Sequence, residues 1–212
     1  MTNRVSFLID GFNLYHSICD AIRDRKKPVG KWLNVHALCK NYLYLFGKNA
    51  AIQDMYYFSA LATHTGNLEA PIRQQALIEA IESTGVKVIL GKFKKKWTMC
   101  KAGCGKAGWG YEEKETDVNI AITLLEQLMT DSSDTMVIIS GDTDLASVVR
   151  AAKRLFPQKR VAVGFPYKRA NKELRQIAHY SFKIDASYYE KFVFPDVVQL
   201  PNSTTISKPT GW

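Results

Sequence analysis

Long apolar runs are missing from this 212-residue chain; none approaches the ~18 residues that a membrane-spanning helix requires. The first apolar run, residues 5–9, closes on Asp10 and is too short for the core of a secretory signal. Cysteine is sparse as well. With no export signal in view, Cys19, Cys39, Cys100 and Cys104 read as reduced thiols or metal ligands rather than as a disulfide framework. The expectation is a cytoplasmic protein with no membrane contact. Acidic residues are outnumbered, 20 against 29 Lys and Arg, and the resulting charge of +9 points to a polyanionic partner. No internal repeat is visible. The apolar share of 46% is ordinary and ample for one full core, so one large domain with an insertion and a tail accounts for the length.

The few acids are not scattered. Residues 136–139 form an apolar run that reads as a buried strand, and Ser140-Gly141-Asp142-Thr143-Asp144-Leu145 follows at once. Leu145, Val148, Val149, Ala152 and Leu155 then recur at helical spacing. Asp142 and Asp144 therefore sit where a parallel strand hands over to a helix, the edge at which open α/β sheets bind ligands. Capping and helix-dipole complementation alone would also explain them. Near the start, residues 5–9 make a second short strand that ends in Asp10-Gly11-Phe12-Asn13. If both strands are central and parallel, Asp10 and Asp142 leave the same sheet edge. Two carboxylates ~5 Å apart repel by about 3 kcal/mol at an effective dielectric near ~20. A divalent cation with oxygen ligands relieves that repulsion most economically. Asp117, in the first turn of a predicted helix over 116–129, adds a third position on this edge, although first-turn acids are also favoured for dipole reasons alone.

Between these landmarks strands and helices alternate. Helices are expected over 13–22, 34–46 (with Asn34 as N-cap), 71–84, 116–129 (Val118, Ala121, Ile122 and Leu125 inward), 143–155 and 174–180. Strands are expected over 5–9, 52–61, 86–90, 136–139, 160–165 and 181–184. The pattern gives an α/β fold with a mostly parallel central sheet covered on both faces, as a three-layer sandwich. Residues 92–111 break it and read as a surface insertion or long loop. The domain is placed at 1–190. Residues 191–212, where the composition shifts to Pro, Ser and Thr, are expected to form a mobile tail.

Ile9-Asp10-Gly11-Phe12-Asn13, then Glu113-Lys114-Glu115-Thr116-Asp117-Val118, then Ser140-Gly141-Asp142-Thr143-Asp144-Leu145 resemble the three signatures of NYN domains. Among these they are most similar to the LabA-like (DUF88) branch of the PIN-like nuclease superfamily. The resemblance covers about residues 5–185. It implies a Rossmann-like PIN fold and a divalent-metal ribonuclease that leaves 5′-phosphate and 3′-hydroxyl ends. By the same match Asp10, Asp117, Asp142 and Asp144 would hold Mg²⁺ or Mn²⁺, with Asn13 as the polar residue beside the first acid. A non-catalytic RNA-binding adaptor that keeps the fold is the alternative.

RNA, as single strands or loops, is the expected partner. Lys92, Lys94, Lys95, Lys96, Lys101 and Lys106 interleave with Phe93, Trp97 and Trp109, the mixture of charge and stacking surface that single-stranded nucleic acid uses. Lys114, Lys168 and Arg169 are further candidates, and a solvated charged face is the plain alternative for all of them. Cys100 and Cys104 read first as free thiols, and at most as two of the four ligands that a structural zinc takes. Completing that site would take His64, or the same pair from the second subunit of a homodimer.

Overall fold

The computed structural model describes residues 2–27, 30–63, 69–99 and 107–212. The chain opens with β1 (Asn3–Asp10), α1 (Gly11–Arg25), α2 (Val35–Asn41) and a 3₁₀ turn at Leu43–Phe46. Then come β2 (Ala50–Ser59), α3 (Glu69–Glu82), β3 (Lys87–Leu90), β4 (Lys92–Met99), β5 (Ala107–Lys114) and α4 (Thr116–Met129). The second half runs β6 (Thr135–Ile139), a 3₁₀ turn at Thr143–Leu145, α5 (Ala146–Leu155), β7 (Arg160–Phe165), α6 (Lys172–Ile177), β8 (Tyr180–Lys183) and α7 (Ser187–Lys191). It ends in β9 (Val197–Gln199) and β10 (Thr205–Ser207).

Six strands form one sheet in the order β3-β2-β1-β6-β7-β8, and every ladder in it is parallel. The order runs one way from β1 through β2 to β3 and the other way from β6 to β8. The crevice of this doubly wound sheet therefore opens at the carboxyl ends of β1 and β6. Strand alternation splits the core between two faces. Phe7 and Ile9 pack with Leu14 and Ile18 of α1, while Leu8 packs with Ile120 and Leu124 of α4 and Val149 of α5. The result is the expected three-layer sandwich. Among the described residues no helix is long and apolar enough to cross a membrane.

Several boundaries differ from the sequence expectations for physical reasons. α1 starts at Gly11, because Asp10 itself is the N-cap, and it runs on to Arg25. Asn34 caps α2 as expected, its Oδ1 accepting from Ala37 N at 2.9 Å, but the helix gives way to a 3₁₀ turn after Tyr42. The segment expected to be a surface insertion or long loop is largely an antiparallel ribbon, β4 paired with β5 from Lys92↔Lys114 outward. Both faces of its outer half meet solvent, so no buried apolar alternation marked its strands in the sequence. On α4 the inward residues are Ile120, Thr123, Leu124 and Leu128, whereas Val118 and Ile122 are 59% and 48% exposed. Leu155 likewise faces outward at the end of α5.

The segment expected to trail as a mobile tail packs back on the domain instead. Phe194 N donates to Trp32 O, Trp32 Nε1 donates to Pro195 O, and Val198 of the β9–β10 hairpin is buried in the core of the α1 face. A few apolar residues spaced among Pro, Ser and Thr are enough to anchor it.

Candidate active site

Ile9 pairs with Ile139 across the parallel β1–β6 ladder, so the residues that follow, Asp10 and Ser140, emerge side by side at the crevice. Ser140 Oγ donates to Asp10 Oδ2 at 2.7 Å, and Asn13 N donates to Asp10 Oδ1 at 2.9 Å. Asp10 is only 4% exposed, and these two bonds hold its carboxylate rigidly. The same serine accepts from Asp142 N at 3.0 Å, and Asp142 Oδ1 accepts from Asp144 N at 3.0 Å. Asn13 Oδ1 in turn accepts from Gly141 N at 3.1 Å. The two motifs are thus stitched into one hydrogen-bonded unit across the switch point of the sheet.

Asp117 reaches the same place from the first turn of α4. Its carboxyl is pushed up to about 6 by burial and then by the charges of Asp10, Asp142 and Asp144. Asp10 is also pushed up to about 6; burial is the main cause, and the charges of Glu113 and Asp142 add to it against the two stabilising hydrogen bonds. These carboxylates feel one another across a cavity of about 760 Å³ lined by Asp10, Asn13, Glu113, Asp117, Asp142 and Asp144. Asp144 is exposed, and Asp117 and Asp142 are half-buried. All four acids expected from the sequence, together with Asn13, line this cavity.

Glu113 is a further acid of the cavity, beyond those expected from the sequence. It is the last residue but one of β5, inside the second motif; it lines the cavity and is raised by burial and by the charge of Asp117 despite a hydrogen bond from Thr116 Oγ1. Its position four residues before Asp117 was visible, but nothing in a Lys- and Glu-rich strand announced that this one acid would be half-buried. Phe12 and Phe93 meet edge-on at 6.1 Å, which seats the base of the ribbon against α1.

The donor set is mostly hard: carboxylate and amide oxygens around a roomy cavity, with the His16 imidazole also on its wall and no thiolate among the described residues. That chemistry suits Mg²⁺ or Mn²⁺, which take oxygen ligands and keep several waters. Among the described residues, no group of three or more His, Cys, Asp or Glu is already drawn together to hold a metal ion directly. The acids therefore flank the cavity more widely than a closed all-protein cage would require. Cys100, Cys104, Lys101, Lys106 and His64 lie outside the described residues, and the zinc half-site with them.

The basic candidates divide by position. Lys114 and Arg169 line the cavity. Lys92 pairs with Glu115, and Lys96 and Lys114 both pair with Glu112. Lys168 pairs with Asp24, and Arg169 with Asp20 at 2.6 Å. Alternation along β4 puts Lys94 and Lys96 on one face of the ribbon and Lys95 and Trp97 on the other.

A protein of unknown function from Vibrio parahaemolyticus has a crystal structure similar to this one, with a TM-score of 0.56 and 18% identity over 91% of this chain and 97% of that one. At that identity the likeness is one of fold. No curated protein matches the sequence significantly. Residues 4–185 match the family model of the NYN domain, a span that takes in the whole parallel sheet and every acid of the cavity. The switch-point crevice, the acids that converge on it and this match belong together: the chain is a member of the NYN domain family, within the PIN-like nuclease superfamily.

Proposed function

We propose that this NYN domain, which we place in the LabA-like branch, is a cytoplasmic Mg²⁺- or Mn²⁺-dependent endoribonuclease that hydrolyses phosphodiester bonds of single-stranded or loop RNA in the acid-lined cavity. The observation that carries the reading is Asp117. Its carboxyl is pushed up to about 6 by burial first and then by the charges of Asp10, Asp142 and Asp144, so acids from three separate stretches of chain converge on one cavity. A fold that keeps such mutual repulsion has a use for a cation there.

When bound, the ion supplies positive charge that polarises the scissile phosphate and lowers the pKa of water. Asp10, Asp117, Asp142 and Asp144 are the residues that would hold it, directly or through water. Ser140 and the Asn13 backbone fix Asp10, and the Asp142–Asp144 turn presents Asp144 to solvent and substrate. Asn13 spends its carbonyl on Gly141, which leaves its amide nitrogen to donate to a phosphate oxygen. Lys114 and Arg169 supply charge at the cavity wall. The Lys114–Glu112 pair is exposed, worth little and readily exchanged for a phosphate, whereas the partly buried Asp20 holds Arg169 in place at the wall.

The wide spacing of the acids favours one second reading, a non-catalytic RNA-binding adaptor on the same fold. Cleavage of a 5′-labelled single-stranded RNA in Mn²⁺, Mg²⁺ or EDTA, wild type beside Asp142→Asn, separates the two. Asn keeps the cap to Asp144 N and removes the charge. The expected result is metal-dependent cleavage that drops beyond the about 10–100-fold cost of losing an outer-shell partner, with RNA still bound. Binding without cleavage by either protein would establish the adaptor instead.

A further inference from the structure

The β4–β5 ribbon has two unlike faces. By the register, Lys92, Lys94 and Lys96 share one face with Lys114 and Glu112, and three of those four lysines are already paired with Glu112 or Glu115. The other face begins at Glu113 and Phe93 beside the acid cavity, continues through Lys95 opposite Tyr111, and ends at Trp97 opposite Trp109. The two indoles sit edge-to-face at 5.1 Å and are nonetheless 56% and 63% exposed. Lys95 Nζ stands 5.5 Å from the Trp109 ring centre and has no carboxylate partner among the described residues. A cross-strand Trp pair helps to close a ribbon. Closing it does not require a lysine without a counter-ion on the same face, nor continuity with the cavity.

From this we propose that the Phe93–Lys95–Trp97 face, with Tyr111 and Trp109, is a track for single-stranded RNA that carries the strand out of the cavity and stacks a base on the tryptophan pair. Exposed aromatic faces interleaved with unpaired cations are the chemistry of such tracks: stacking accepts any base, and the cation follows the backbone. From Phe93 to Trp97 the track is about 13 Å long at the strand rise. That is the length of about four nucleotides at stacked spacing, and of fewer if the strand is drawn out. The track therefore sets a length threshold: oligonucleotides that fill only the cavity bind weakly, and those that reach the tryptophans bind tightly. Duplex RNA, whose bases are already stacked, gains nothing from it.

The inference rests on the proposed RNA substrate but is tested without cleavage. Oligouridylates of two to ten nucleotides are titrated in EDTA, and affinity is read by fluorescence anisotropy. Wild-type affinity is expected to rise with length and level off once the strand spans the track. Trp109→Ala should remove about tenfold or more for the ten-mer and leave the three-mer unchanged, while Trp109→Tyr keeps most of the gain. Lys95→Gln leaves the ribbon's aromatic pair in place and should lower the slope of log affinity against log salt by about 0.7, one single-strand phosphate contact. Affinity independent of length, or a ten-mer bound equally by wild type, Trp109→Ala and Lys95→Gln, would overturn the track and leave the tryptophans as a clasp for the ribbon. A length-dependent track in a protein that cleaves nothing in Mn²⁺ would leave this inference standing and sink the nuclease. Cleavage with no length dependence would do the reverse.

Discussion

A Cβ added at Gly141 would lie 1.9 Å from the carbonyl oxygen of Arg169, well inside any non-bonded contact. The turn after β6 is thus pressed against the 166–170 loop, and that pressure is what brings Arg169 to the cavity wall beside Asp142. Gly11 is held in the same way against the Tyr57 ring and the Phe58 carbonyl. The glycines of both motifs are there because the backbone must pass close, and the acids next to them are aimed by that approach. Gly141→Ala should cost about 1–3 kcal/mol by overpacking, a fall in Tm of several degrees, and it should weaken cleavage further by moving Arg169 away from Asp142. Gly108, with open space around it, is the control: an alanine there should leave Tm within about a degree. Equal melting of the two variants would refute the close approach. At this scale Asp10, Asp142 and Asp144 were legible because each follows an apolar run and precedes a helix. Glu113 was not, because its burial comes from the docking of Phe93 on Phe12, a contact between segments 81 residues apart by number.

The elements show where local pattern runs out. α4 carries Val118, Ile120, Ala121, Ile122, Leu124, Leu125 and Leu128, enough apolar residues for two competing stripes, and periodicity alone cannot choose between them. The sheet chooses. Ile120, Leu124 and Leu128 meet Leu8, Tyr56 and Phe58, and even polar Gln127 turns inward, its Nε2 donating to the Tyr56 hydroxyl at 2.9 Å. This phase matters to the site, since it sets the direction from which Asp117 enters the cavity. Leu124→Ala should therefore destabilise by about 2–5 kcal/mol, whereas Ile122→Ser and Val118→Ser, on the exposed stripe, should stay within about 0.5 kcal/mol. Urea melts of the three variants would test this directly. Comparable losses at 122 and 124 would return α4 to the phase first read from its sequence. The ribbon and the β9–β10 hairpin are hard to read in the sequence for a related reason: most of their residues face solvent, so neither carries the buried alternation that marks a strand.

The whole molecule sets acids at the two ends of its sheet under opposite conditions. At the amino end Asp134 takes hydrogen bonds from Arg4 (Nη2 at 2.8 Å) and Lys159 (3.0 Å), and its carboxyl lies well below the usual range, chiefly because of Arg4. At the carboxyl end Asp10 and Asp117 are paired with no cation among the described residues and are pushed up to about 6, burial first. The signs follow from linkage. The Asp134 contribution is present above the ordinary carboxylate pKa and is lost as pH falls through the lowered one. The crevice acids destabilise the metal-free protein progressively as pH rises from about 4 to about 6, and fully above that. For Asp10 the displacement from 3.8 to about 6 corresponds to about 3 kcal/mol at neutral pH. A cation binds the ionised carboxylates, so its stabilisation should be small near pH 4.5 and complete above about 6. The quantity to measure is the difference in Tm between millimolar Mg²⁺ or Mn²⁺ and EDTA across pH 4.5–7.5. Contributions from His36 and His179, which are displaced but do not line the cavity, cancel in that difference; His16 does line it, and burial lowers its pKa, so its loss of a proton adds to the rise in metal binding from the acid side. The gain should climb through pH 5–6 and then level off, reaching about 2.7 kcal/mol where the metal stands a hundredfold above its Kd. Asp117→Asn should melt higher than wild type in EDTA at neutral pH, match it near pH 4, and gain less from metal. Asp134→Asn should melt lower with or without metal and keep the full gain. A metal effect that is absent, or flat from pH 4.5 to 7.5, would mean that the crevice acids do not bind the ion, and the proposed chemistry would fall with them.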